Sequence, residues 1–143
     1  MAEAKTADAA ASETLLRVED LRTWFHTFSG TVKAVDGVSF SVKRGEIMGL
    51  VGESGGGKSV VGFSILGLID PPGKIESGVI EFNGENLKDA GDARLRDIRG
   101  RDIAMVFQDP MTSLNPLHTV GEQMDEMLRL HTDMDAGQRH ARC

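Results

Sequence analysis

The chain has 143 residues, enough for one domain with a real core, and carries 22 acidic against 16 basic side chains, a net charge of −6 at pH 7. No basic stripe runs along it, which argues against nucleic acid as a partner. Its one cysteine, Cys143, can form no internal disulfide, which suits a reducing compartment, and its longest apolar stretch, over 60–69, falls far short of the ~20 residues of a membrane helix.

Residues 1–14 are rich in Ala, with Glu, Lys, Asp and Ser, and lack the basic start and apolar centre of a signal peptide. They read as a flexible, solvated tail. A strand-like region begins over 15–21 and runs toward Phe28, with a turn at Ser29-Gly30. Residues 31–35 and 38–42 alternate as strands do. Arg44-Gly45 turns the chain into 47–51, a short apolar run that predicts a buried strand. Residues 60–69 suit a buried helix, ended by the breaker Asp70-Pro71-Pro72-Gly73. Residues 78–84 read as a strand closing on an Asn83-Gly84 turn. A short charged helix is expected over 92–99, a strand over 102–107, and an amphipathic helix over 119–131 with Val120, Met124, Met127 and Leu128 near one face. This order predicts an α/β fold, a small antiparallel β layer joined to the start of a parallel α/β core.

Within that order, Gly52-Glu53-Ser54-Gly55-Gly56-Gly57-Lys58-Ser59 fits G-x-x-x-x-G-K-[ST], the phosphate-binding P-loop or Walker A pattern. Glycines let successive backbone N–H groups point into one concave anion nest. The Lys58 ammonium can reach the β- and γ-phosphates, and the Ser59 hydroxyl can hold Mg²⁺. Lys58 and Ser59 open the next helix, whose N-terminus favours anions in its own right. The expected phosphate-binding set is Gly52, Glu53, Ser54, Gly55, Gly56, Gly57, Lys58, Ser59 and Val60.

Downstream stands Val106-Phe107-Gln108-Asp109-Pro110-Met111-Thr112-Ser113-Leu114-Asn115-Pro116. This segment closely resembles the Q-loop of ATP-binding cassette (ABC) transporter ATPases, and its 107–116 run resembles the oligopeptide and dipeptide importer branch. Val51-Gly52-Glu53-Ser54-Gly55 and Ala34-Val35-Asp36-Gly37-Val38-Ser39-Phe40 are similar to that branch too. The resemblance spans about 15–130 and makes 15–143 the N-terminal part of one ABC ATPase domain of the P-loop type.

The resemblance implies a transport-coupled ATP hydrolase that uses ATP and Mg²⁺. Lys58 and Gln108 would be its catalytic residues, and Ser59 and Gln108 its Mg²⁺ ligands, with Gln108 also positioning the attacking water. A neutral amide suits that task, since it can accept from water and donate to a phosphate oxygen. Asp109-Pro110 also suits a plain turn. The family stacks adenine on an aromatic residue early in the β region. Counting back from Ala34-Val35-Asp36 puts Phe28 there, with Trp24 and Phe25 as competitors. Gly56 departs from the Ser usual in this branch. Implied partners are transmembrane permease subunits, a second ATPase subunit in a head-to-tail dimer and, indirectly, a substrate-binding protein. The implied location is the cytoplasmic face of the plasma membrane.

Three family features are absent from this sequence: the Leu-Ser-Gly-Gly-Gln signature, the Asp-Glu ending of a Walker B strand, and the switch histidine. Asp70 and Asp109 each end an apolar run, but each is followed by Pro. The chain is therefore expected to be truncated before Walker B and, on its own, not to hydrolyse ATP. The alternative is a short, non-hydrolysing nucleotide-binding or inhibitory protein that pairs with a full-length ATPase. A GTPase would need an Asn-Lys-x-Asp base-reading motif, and none occurs.

Overall fold

The computed structural model describes residues 14–108 and 114–143. The tail expected over 1–14 lies outside the described residues except for Thr14, which opens the first strand. The described residues fall into two compact units, one ending at Gly91 and the other spanning Asp92–Cys143.

The first unit is built on a four-stranded antiparallel sheet of β1 (Thr14–Thr27), β2 (Gly30–Lys43), β3 (Gly73–Phe82) and β4 (Glu85–Asn86), in the order β2-β1-β3-β4. β1 and β2 form a long hairpin that closes at Thr27 opposite Gly30, so Phe28 and Ser29 make its turn. The two strand stretches expected over 31–35 and 38–42 are one continuous strand. β3 pairs with the other edge of β1, Val18 opposite Ile80 and Trp24 opposite Lys74. It turns into β4 through Asn83 (φ 54°) and Gly84 (φ 84°), the left-handed pair that a tight hairpin needs.

Val18, Leu21 and Thr23 of β1 are all buried, although the step from 18 to 21 is odd. Asp20, at φ 42° within a register shift, supplies the extra residue that keeps all three on the core side. Ile80 and Val35 add to that layer. Helix α1 (Lys58–Ile65) packs on β1 and β2 and buries Val61, Ser64 and Ile65. It ends sooner than expected because Gly67 (φ 62°) donates to Ser64 O and Leu68 donates to Phe63 O, a Schellman stop.

The second unit holds α2 (Asp92–Ile98), α3 (Val120–His131) and α4 (Ala136–Arg142). Thr119 and Asp135 cap α3 and α4 with reciprocal capping boxes. Arg139 ties α4 to α3 through Asp125 at 2.7 Å.

Two expected strands are not formed. Residues 46–53 are irregular, with Ile47 99% and Val51 91% exposed, and 102–107 make only an isolated bridge between Ile103 and Arg99. A parallel strand takes its hydrogen bonds and its cover from neighbouring βα units. Among the described residues neither segment has such a neighbour, so apolar pattern alone does not make it a strand.

Candidate functional site

The loop between 52 and 59 is wound by its glycines. Gly55 and Gly57 have φ of 80° and 79°, and Gly56 N–H donates to Glu53 O at 3.1 Å, which closes a tight turn. Gly57 is also pressed against β2: a β-carbon there would lie 2.1 Å from Ala34 O. Only glycine meets both demands, a left-handed backbone and no side chain. Lys58 folds back over the loop, and its Nζ donates to Gly52 O at 2.9 Å and Glu53 O at 2.6 Å. The ammonium thus rests on two of the loop's own carbonyls, neutral acceptors that a phosphate oxygen can replace, rather than in an ion pair.

Gly57 is also the N-cap of α1. It offers no side-chain acceptor, and the first turn of α1 contains no acidic residue. The end of α1 therefore keeps free N–H groups and the positive end of the helix dipole, both suited to an anion. Ser59, the second residue of α1, is exposed. Its hydroxyl and the uncapped nest suit a Mg²⁺-bound polyphosphate.

The structure separates the three aromatic candidates. Trp24 is half-buried beneath Lys33, whose Nζ lies 4.5 Å from the ring centroid, and its indole N–H is buried without a hydrogen-bond partner. Phe25 packs over Gly73, where a β-carbon would meet its ring at 2.6 Å. Phe28, in the β1–β2 turn, is fully exposed. Of the three, it is the one whose ring is left fully open to solvent, as contact with a planar ligand needs.

Gln108 belongs to the second unit and is exposed. Residues 109–113 of the expected Q-loop lie outside the described residues. Beyond them, Gln123 of α3 clamps the chain that leads into the helix, accepting from Asn115 N–H at 3.0 Å and donating to Asn115 O and His118 O, each at 3.1 Å. Sequence reasoning missed this clamp and also the seat of Gly57 on Ala34. An isolated Gln and an Ala in an alternating strand give no signal of either.

A glycine-wound nest at the start of a helix that packs on a β-sheet is the arrangement of a P-loop protein. The sequence profile of the ABC transporter family matches residues 35–142, and the chain belongs to that family. It is 46% identical over 128 residues to the dipeptide transport ATP-binding protein DppD of Escherichia coli K12, covering 90% of this chain and 39% of that protein. DppD of Bacillus subtilis is 50% identical over 123 residues, covering 85% of this chain and 37% of its own length. The chain thus spans about two fifths of the length of these relatives. Among solved structures, the dimeric ATP-binding cassette MJ0796 in a post-hydrolysis state with ADP and Pi superposes with a TM-score of 0.77 at 26% identity, covering 90% of this chain and 53% of that one. No helix among the described residues is long and apolar enough to cross a membrane.

Proposed function

We propose that this chain is the nucleotide-binding part of an ABC transporter ATPase of the oligopeptide and dipeptide importer branch. The observation that carries the reading is the uncapped, glycine-wound entry to α1, with Lys58 poised over it. Residues 52–60 bind the phosphates of ATP, and Phe28 stacks on the base. Lys58 exchanges the Gly52 and Glu53 carbonyls for phosphate oxygens, which its flexible stem and three donors permit. Mg²⁺, when bound, offsets phosphate charge. Ser59 is the ligand this chain would supply from α1. By resemblance, Gln108 is the second ligand and the water-positioning group.

In this reading the partner set is a second ATPase subunit and transmembrane permease subunits, with a substrate-binding protein reached through them. The location is the cytoplasmic face of the membrane. The importer branch is supported by the resemblance of 107–116 and by the DppD relatives.

Calorimetric titration of the 143-residue chain with Mg-ATP tests the nucleotide reading. Saturable binding is expected, with a loss of roughly a hundredfold or more in Lys58→Ala, as removal of a charge-assisted contact at the phosphates demands. Equal affinity in the two proteins would refute it.

A further inference from the structure

Thr23 and Ser64 are fully buried polar residues of the first unit, 0% and 2% exposed. Their hydroxyl oxygens lie 2.8 Å apart. Ser64 also donates to Val60 O at 2.7 Å. A serine hydroxyl has one hydrogen, and here it goes to Val60, so Thr23 must be the donor to Ser64. The result is a directed relay from Thr23 O–H to Ser64 Oγ, and from Ser64 O–H to the carbonyl of Val60. It starts on β1, the strand that leads into Phe28. It ends on the third residue of α1, directly after Lys58 and Ser59.

Two apolar side chains would fill this place without burying hydroxyls, which are costly unless paired. Packed apolar side chains hold a helix on a sheet by shape alone, whereas a hydrogen bond adds a fixed direction and length. The phosphate loop does not need the relay to keep its own shape. The Gly56 N–H closes its turn on Glu53 O, and Gly57 is seated on Ala34. What the relay fixes is the placement of α1 on β1.

We propose that Thr23 and Ser64 are positioning residues that set the separation between the phosphate loop and the Phe28 platform. A ligand that spans both ends feels the relay, and one that touches only the loop does not. The inference rests on the nucleotide-binding reading above, and its test keeps the two apart.

The test compares Mg-ATP with inorganic triphosphate, which has no base, on the 143-residue chain. Thr23→Val keeps the shape and removes the donor, Thr23→Ser keeps the donor, and Ser64→Ala breaks the relay from the other side should the valine variant not fold. Fluorescence of Trp24, the single tryptophan, reports whether the sheet is intact. Loss of one hydrogen bond's worth of alignment corresponds to about a tenfold weaker Mg-ATP affinity in Thr23→Val and Ser64→Ala. Triphosphate affinity should stay within about twofold, and Thr23→Ser should restore ATP binding. An equal loss for both ligands, or no loss for either, would overturn the positioning role and leave the pair as core packing. If the unsubstituted chain bound neither ligand, the phosphate-loop reading itself would fall, and the inference with it.

Discussion

Helices α1 and α3 solve the same end problem in opposite ways. The first turn of any helix leaves N–H groups without intrahelical partners. Helix α3 supplies its own: Thr119 Oγ accepts from Glu122 N–H at 3.2 Å, and the Glu122 carboxylate accepts from Thr119 N–H at 2.7 Å. Helix α4 does the same with Asp135 and Gln138. Helix α1 has Gly57 at its cap and no acid in its first turn. The sequence finishes the starts of α3 and α4 with side chains and leaves that of α1 without a side-chain cap, as a helix start suited to an outside anion is. The distinguishing mark of the site is thus what its first turn withholds as much as the glycines it contains.

Glycine substitutions should break this comparison hardest. Gly57→Ala puts a β-carbon 2.1 Å from Ala34 O at a φ of 79° and is expected to abolish Mg-ATP binding in a calorimetric titration. Gly121→Ala in α3 meets nothing within 4 Å. It should leave binding unchanged and raise stability by about 0.4–1 kcal/mol in a denaturant melt, because alanine has fewer unfolded conformations to lose.

A smaller effect separates the base end from the phosphate end. Phe28→Ala should weaken Mg-ATP by roughly tenfold, the scale of one lost aromatic stacking contact, and leave inorganic triphosphate unaffected. Unchanged ATP affinity would remove Phe28 from the site.

The smallest effect lies at the self-capped helix. Thr119→Ala should cost about 1 kcal/mol of stability with no change in nucleotide affinity. Hydrogen bonds from the Thr119 backbone N–H and then its hydroxyl hold the Glu122 carboxyl below its ordinary range. A carboxyl with a depressed folded pKa stabilises the fold above its unfolded pKa, and that contribution is lost as pH falls through the folded value. Helicity in the second unit should therefore decline below about pH 4.3, and Glu122→Gln should flatten that part of the acid titration.

Much of this was legible in the sequence because it is local. The glycine turns of 52–59 and the Asn83-Gly84 turn each act within a few residues, and their left-handed backbone is what those residue types favour. Residues 47–51 and 102–107 were apolar enough for strands, yet a parallel strand depends on partners from elsewhere in the chain. Neither is paired in a sheet among the described residues, and a pattern of side chains cannot supply that pairing. The Asp20 irregularity that keeps Val18, Leu21 and Thr23 on one side is likewise a property of pairing. Thr23 and Ser64 were invisible for a simpler reason: a lone Thr in a strand and a lone Ser in a helix look like surface residues until the two elements pack.

An amide-resolved NMR titration with Mg-ATP would compare the two kinds of helix start in one experiment. Saturable shifts at Gly55, Gly57, Lys58, Ser59 and Val60, with the Glu122 and Gln138 amides unmoved, are the predicted result. Shifts centred on the starts of α3 or α4, or none at residues 52–60, would contradict the assignment of α1 as the phosphate helix.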